Sequence, residues 1–229
     1  MPGKPATAAK YLFIGSLLCL SPGLMAQTFD NQGRLDFNVH LQSVYSDWRY
    51  ANSRQRTNIS RAGFGWSETL SPGLSGGIML GYLDLGQSNN PLDAAKLSSG
   101  YYGGLQLETQ LVERRYLHLK LNLSVLYNDS QNQAGTPSIN NIWIQTEEKL
   151  QARIPLREQL ALRLALNSYQ LRGEQRSSGS VTDVSNFRQD QNIGYSIGLD
   201  VLVDPDASIG FDWSGGNRRG GRLYFRRLF

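Results

Sequence analysis

Two histidines, His40 and His118, are the side chains of this sequence best suited to acid–base catalysis near neutral pH. Each lies in a segment where apolar and polar residues alternate, and each falls on the polar side of that alternation. Hydrolytic catalysis would also need a serine or a carboxylate held beside the imidazole. The spacing places no such partner next to either histidine. We therefore predict structural hydrogen-bonding roles for both, with no catalytic residues and no enzymatic activity.

Two segments rich in asparagine and aspartate, residues 89–93 and 128–132, contain the oxygen ligands that calcium prefers. Neither segment has the ligand spacing of a calcium-binding loop. Both are interpreted as solvated loops, and we predict no metal site and no cofactor.

The polar residues are positioned by strands, as residues 116–127 illustrate. Every second residue from 117 to 125 is leucine or valine, and the intervening residues are His118, Lys120, Asn122 and Ser124. A period of two indicates a β-strand with one apolar and one polar face. The same pattern recurs ten times, near residues 35–45, 58–70, 74–85, 100–111, 116–127, 142–154, 160–171, 193–203, 209–213 and 222–229.

The connections between these strands alternate in length. They are longer after strands one, three, five and seven and short after strands two, four, six and eight. Such alternation is typical of a closed, antiparallel, up-and-down transmembrane β-barrel with an apolar face toward lipid. We predict an all-β barrel of about ten strands, with eight or twelve as alternatives. A soluble β-sandwich shares the period-two strands, but its connections need not alternate in length.

The N-terminus has the pattern of a secretory signal peptide: a basic start with Lys4 and Lys10, an apolar segment over residues 11–20, and small residues up to Ala26. We predict a signal peptide over residues 1–26 and a barrel over residues 27–229. The only cysteine, Cys19, lies within the signal. The formal net charge is +4 and loses two positive charges with the signal, so the composition does not favour nucleic acid as a partner.

The chain ends in a strand that alternates Leu223, Phe225 and a terminal Phe229. Together with the signal peptide, this resembles the C-terminal strand signature of bacterial outer-membrane β-barrel proteins. The resemblance implies a Gram-negative outer membrane and contact of Phe225 and Phe229 with the barrel assembly machinery. It also implies periplasmic termini and short turns, with the longer loops outside. Aromatic residues near strand ends would form girdles at the lipid headgroups, namely Tyr45, Tyr82, Tyr101, Tyr127, Trp66 and Trp213.

Alternation also predicts which charged residues face the lumen. The basic ones are Arg61, Lys120, Lys149, Arg153, Arg163 and Arg226, and the acidic ones are Asp36, Glu108, Glu147, Asp200 and Asp212. Ten strands enclose little bore, and buried charges are tolerated mainly when paired. These residues are therefore predicted to cross the bore as an ion-pair network, and a narrow polar conduit is the functional alternative.

A cluster of arginines follows from barrel closure. Pairing of the first and last strands would bring the loop with Arg49, Arg54 and Arg56 near the loop with Arg218 and Arg219. Arginine binds phosphate and carboxylate groups through its planar fork of donors. The expected partners are lipopolysaccharide in the outer-membrane lipid, or an extracellular glycan or host surface.

We therefore predict a structural or surface-recognition role of the adhesin type through the outer loops. A narrow channel or export pore is the main alternative. A hydrolase at the outer rim is a further one, although arginines rather than acids, histidines or serines cluster at that rim.

Overall fold

The computed structural model describes residues 35–51, 53–88, 97–132, 138–178 and 182–229. The predicted signal peptide and its cleavage after Ala26 lie outside the described residues, as does the asparagine-rich segment 89–93. Within the described ranges there is no helix long and apolar enough to cross a membrane.

The described residues form eleven antiparallel strands in one sheet. In chain order they are β1 Leu35–Arg49, β2 Arg54–Ser71, β3 Leu74–Gln87, β4 Leu97–Arg114, β5 Leu117–Gln131, β6 Ser138–Arg157, β7 Leu160–Ser178, β8 Asp183–Gln189, β9 Ile193–Asp204, β10 Ala207–Gly216 and β11 Arg219–Leu228.

The sheet closes on itself because β11 pairs with β1 from Asp36 opposite Leu228 to Tyr45 opposite Arg219. At the bottom of this seam the backbones of Leu35 and Phe229 exchange hydrogen bonds of 3.2 and 2.8 Å. Closure satisfies the edge strands that hydrocarbon cannot solvate. The prediction of a closed up-and-down barrel of about ten strands is confirmed.

The barrel has two sections with different strand numbers. β9 pairs with residues 160–168 of β7, whereas β8 pairs with residues 172–177 of the same strand, so β8 and β9 act as one strand interrupted at residues 190–192. Below the interruption, β10 and β11 complete a ten-stranded section. Above it, β8 pairs directly with β1 through Trp48 opposite Gln189 and Arg49 opposite Arg188, which closes an eight-stranded section.

The turn between β10 and β11 lies where the two sections meet. Gly216 has a φ of 83°, a conformation that favours glycine, and Asn217 and Arg218 are buried. The backbone N–H of Asn217 donates to the Ile193 carbonyl at 3.1 Å, and the side chain of Gln189 donates to the Asn217 carbonyl at 2.9 Å. The hairpin tip is thus held beneath β8 and inside the wall.

The two faces of the barrel wall exchange polarity between the sections. On β1, outward Leu41 and Tyr45 are exposed, and the inward residues of the same level include His40. Farther up, Trp48 is fully buried inside while Arg49 is exposed outside. The ten-stranded section therefore has an apolar exterior and a polar lumen, as a barrel in lipid requires. In the eight-stranded section the exterior is mostly polar, and the interior combines aromatic and aliphatic side chains with buried amides and hydroxyls such as those of Gln55, Thr57 and Gln175.

An aromatic core fills the eight-stranded section. The rings of Trp48 and Phe187 stack at 4.4 Å between centroids, and Trp143 meets Trp48 edge-on at 5.4 Å. The other buried members of this core are Val44, Tyr50, Ile59, Leu83, Leu85, Tyr102, Leu126, Tyr169 and Leu171. Eight strands enclose an interior that side chains just fill. These packed side chains close the lumen above the ten-stranded section.

The predicted girdle residues all have exposed side chains, as residues facing the headgroups should: Tyr45, Tyr82, Tyr101, Tyr127, Trp66 and Trp213. A tight turn follows β2, with Pro72 followed by Gly73 at a φ of 74°.

Three segments interpreted as outer loops contain strand instead. β1 and β2 extend into the polar segment 46–57, β5 and β6 extend into the segment 128–140, and the segment 172–186 holds the end of β7 and part of β8. These extensions lie beyond the lipid, where the outward face is polar. The lower strands were predicted from an apolar residue at every second position. Where the outward face is polar this pattern is absent, so the sequence resembles a loop.

Replacing Trp48 by alanine tests the aromatic core. Loss of the ring contacts with Phe187 and Trp143 should lower the free energy of unfolding by about 3–5 kcal/mol. Urea unfolding of the protein refolded in detergent measures it. Trp213→Ala is the matched control, because this tryptophan points outward and is half exposed. Equal losses in the two variants would contradict a packed core.

Candidate functional site

Four arginines form a continuous row on the outside of the eight-stranded section. Arg172 on β7 lies opposite Arg188 on β8, Arg188 lies opposite Arg49 on β1, and Arg49 lies opposite Arg54 on β2. All four side chains are exposed. Like charges directly opposite each other on a sheet repel, so this arrangement costs stability unless anions lie nearby. We call these four residues the arginine row.

Acidic residues neutralise only one end of the arginine row. Asp190 forms an ion pair with Arg49 and another with Arg54 at 3.0 Å, and Asp47 pairs with Arg54 at 2.8 Å. Within the described part of the chain, Arg172 and Arg188 have no ion-pair partner. The forks of these two arginines are therefore available to a ligand.

The structure divides the arginine cluster expected from the sequence. Arg49, Arg54, Arg56 and Arg219 are exposed on the outer surface. Arg218 is not at the rim: its side chain is buried in the lumen and pairs with Glu147 at 2.5 Å. The placement of Arg218 in the cluster was wrong because β8 pairs with β1 above the β10–β11 turn and confines that turn to the inside. Arg172 and Arg188 were missed because they fell outside the strands predicted there.

The lumen of the ten-stranded section contains a network of ion pairs centred on Arg163. This guanidinium contacts Asp200 at 3.1 Å and Asp212 at 2.7 Å, and Arg153 reaches Asp200 at 3.3 Å. Lys120 pairs with Glu108 at 2.6 Å, and Arg226 pairs with Asp36. The partners lie on different strands and line the bore, and all five acidic residues predicted for the lumen take part in ion pairs.

Arg218 and Arg61 form the upper boundary of the polar lumen. The Arg218 guanidinium lies 4.2 Å from the Tyr169 ring centroid, and its partner Glu147 also accepts a 3.0 Å hydrogen bond from Asn167. Arg61 donates to the side-chain oxygens of Asn128 and Gln145, each at 2.7 Å. These contacts connect the ion pairs below with the aromatic core above.

A cavity of about 230 Å³ remains inside the network. Its walls include Lys149 and Arg222, neither of which has an ion pair with a described residue. Arg222 faces inward beside Tyr224, with its guanidinium 5.6 Å from that ring centroid. Alternation of the last strand placed Arg226 in the lumen, and the structure adds Arg222 and Arg218 to the basic residues there.

The two histidines have aromatic or acidic neighbours. The Nε2 atom of His40 and the hydroxyl of Tyr102 are 2.8 Å apart in the lumen. His118 lies 3.9 Å from Glu113 near the short turns. Neither pair includes a serine nucleophile, and the described residues contain no group of histidine, cysteine or acidic side chains that could hold a metal.

Phe225 and Phe229 face outward on the final strand. Phe225 lies between Val39 of β1 and Ile209 of β10, and the terminal Phe229 is well exposed. Both side chains are exposed on the outer face of the barrel.

No protein-family signature matches the sequence, and no curated protein is similar to it in sequence. Solved structures are similar in fold. The outer-membrane protease OmpT of Escherichia coli aligns with a TM-score of 0.50 at 9% identity, covering 89% of this chain and 96% of that chain. The translocator domain of the autotransporter NalP from Neisseria meningitidis aligns with a TM-score of 0.47 at 13% identity, covering 93% and 94%.

An outer-membrane channel from Pseudomonas putida F1 aligns with a TM-score of 0.46 at 12% identity, covering 92% of this chain and 100% of the channel. At 9% identity, the likeness to the protease shows the fold and not an activity. The chain therefore has the β-barrel fold found in a bacterial outer-membrane protein, and the likeness indicates no specific family.

Proposed function

We propose that this protein is a closed outer-membrane barrel that recognises phosphate or sulfate groups of polyanions at the cell surface. The observation that carries the proposal is the arginine row on the exterior of the eight-stranded section. Lipopolysaccharide of the surrounding leaflet and an extracellular sulfated glycan are two sources of this chemistry.

The height of the arginine row favours contact with headgroups and with polymers outside them. On β1 the last outward apolar residue is Tyr45, and Asp47 and Arg49 follow it on the same face. Tyrosine at the end of a lipid-facing stripe lies at the headgroups. The row therefore begins where hydrocarbon ends, and its guanidinium groups are at the level where phosphates of a surface lipid occur.

The arginine row has a rigid support. Its four residues lie in hydrogen-bonded strands, and the inner face behind them is packed with Trp48, Leu171 and Phe187 of the aromatic core. Fixed backbones reduce the ordering cost of binding. An anion that bridges two neighbouring arginines would also reduce their mutual repulsion. Binding would therefore gain the free energy that this repulsion costs the unliganded protein.

Two other functions are less well supported. The aromatic core above the lumen weighs against a channel or export pore, because its side chains fill the eight-stranded section. A rim hydrolase would need an activated nucleophile, whereas the neighbours found for His40 and His118 are a tyrosine and a glutamate. The proposal also includes location in the outer membrane, cleavage of the signal peptide near Ala26, and recognition of Phe225 and Phe229 by the assembly machinery.

Removal of the two unpaired arginines tests the binding role. In the double variant Arg172→Gln, Arg188→Gln, affinity for heparin should fall roughly tenfold, because two exposed charge contacts are lost. Calorimetric titration of the refolded protein in neutral detergent measures the change. The matched control is Arg115→Gln, Arg157→Gln, which removes the same charge from the exposed short-turn end.

The source of the anion is separated by repeating the titration with lipid A micelles and with dephosphorylated lipid A. A loss confined to phosphorylated lipid A assigns the arginine row to the membrane's own lipid, and a loss confined to heparin assigns it to an extracellular glycan. Equal affinities of wild type and both variants for every ligand would overturn the proposed function. Raising the salt concentration should weaken binding, because exposed charges are screened.

Planar-bilayer recordings test closure. The wild type should show no steady conductance, and the lumen variant Lys149→Ala, Arg163→Ala should stay silent because the aromatic core above it is intact. The core variant Trp143→Ala, Phe187→Ala should show current bursts. Steady wild-type conductance would favour the channel alternative. Current in the lumen variant alone would mean that the ion pairs, and not the aromatic rings, close the bore.

A further inference from the structure

The lumen of the ten-stranded section has a surplus of positive charge, a feature separate from the arginine row. Eight basic residues line the lumen cavity: Arg61, Lys120, Lys149, Arg153, Arg163, Arg218, Arg222 and Arg226. Five acidic residues line it: Asp36, Glu108, Glu147, Asp200 and Asp212. Among the described residues, the cavity wall therefore contains three more positive than negative side chains.

The acidic residues are already engaged by other cations. Asp200 and Asp212 bind Arg163, with Arg153 also on Asp200. The remaining three are bound singly: Glu147 by Arg218, Glu108 by Lys120 and Asp36 by Arg226. Three basic residues of the cavity wall have no ion pair with a described acidic residue, namely Arg61, Lys149 and Arg222.

These three residues, which we call the lumen cations, are enclosed rather than solvated at a surface. Arg61 is 5% exposed; it donates to two neutral amide oxygens and lies 5.2 Å from the Tyr102 ring centroid, and it has no ion pair with a described residue. The Nε atoms of Arg61 and Arg222 are buried without a hydrogen-bond partner among the described residues. Lys149 lies within electrostatic reach of Asp212 and Glu147, both already bound to other arginines, and of the cations Arg222 and Arg163. Unpaired charges in such a site are costly, and an anion in the cavity offsets that cost.

Among the described residues, the cavity is more exposed toward one end than toward the other. Above it, the side chain of Arg218 is 6% exposed and the aromatic core follows. Toward the short turns, the side chains of His118 and Lys120 are 25% and 19% exposed. The volume of about 230 Å³ exceeds that of one tetrahedral oxyanion. Among the described residues, the short-turn side, which is periplasmic in this class, is therefore the more exposed route for such an ion.

We propose that this chamber binds a phosphate-sized oxyanion from the periplasmic side, held by the lumen cations Arg61, Lys149 and Arg222. Inorganic phosphate, sulfate and the phosphate group of a small molecule share the required charge and geometry. A guanidinium offers two parallel donors to such an anion, and an ammonium offers a compact charge. The site needs no contribution from the exterior arginines.

The rate at which an introduced cysteine reacts with charged reagents tests the electrostatic potential in the chamber. The only cysteine of the sequence is Cys19, so the chain from residue 27 onward has none. Asn122 lines the cavity and lies directly opposite Lys149 on the neighbouring strand. In the variant Asn122→Cys, with each rate divided by that of the same reagent with a free thiol in solution, a negatively charged methanethiosulfonate reagent should react about tenfold faster than a positively charged one, because the potential concentrates anions.

Two charge-matched variants locate the source of that preference. Adding Lys149→Gln and Arg222→Gln should bring the two rates within about twofold of each other. Adding Arg172→Gln and Arg188→Gln removes the same charge from the exterior and should leave the ratio unchanged. An equal effect of both pairs, or no preference in the parent, would overturn the proposal. Circular dichroism of each refolded variant confirms that the barrel has formed.

Protection by inorganic phosphate tests occupancy. Millimolar phosphate should slow modification of the Asn122→Cys protein at least fivefold relative to equal ionic strength of chloride, with the uncharged reagent methyl methanethiosulfonate as the probe. The lumen pair Lys149→Gln, Arg222→Gln should abolish this protection, and the exterior pair should retain it. Absence of protection by phosphate and by sulfate up to saturating concentrations would overturn the chamber as a binding site without bearing on polyanion binding outside.

Discussion

Closure of the sheet through β1 and β11 is the constraint on which the rest of this structure depends. Hydrocarbon offers no partner to a backbone N–H or C=O group, so every strand in lipid needs two neighbours. Once the sheet is closed, period-two side chains divide between lipid and a narrow bore. Leucine and valine take the outer face, and the charged residues have only the bore left. Their pairing along the inner wall, centred on Arg163, follows from that confinement.

The same wall continues into water with its faces exchanged. Above the tyrosines, apolar side chains are protected only inside, and the strands can expose charge only outside. Trp48 and Arg49 are neighbours in sequence on opposite faces, so the aromatic core and the arginine row are two results of one alternation. The proposed surface role and the closed lumen therefore have a common structural origin.

The part of this architecture that depends on local periodicity could be predicted, and the part that depends on long-range register could not. The alternation over residues 117–127 predicts a strand without other information, and the alternating connection lengths predict closure of the sheet into a barrel. The exchange of faces concealed Arg172 and Arg188, since a strand with a polar outer face resembles a loop. Arg218 was misplaced because the position of the β10–β11 turn depends on β8, which pairs with a strand more than a hundred residues away. Which acid meets which base in the bore depends on the same register.

The partner change along β1 has a mechanical consequence. Its lower residues pair with β11 and its upper residues with β8, so one strand is held by two others that belong to different hairpins. Sliding of β11 by two residues would preserve its inward and outward faces. It would, however, drive the turn at Asn217 into Gln189 and Asn192, to which it is bonded. These hydrogen bonds oppose slippage of β11 along β1. They fix the register, and with it the shear of the barrel, at the point where ten strands become eight.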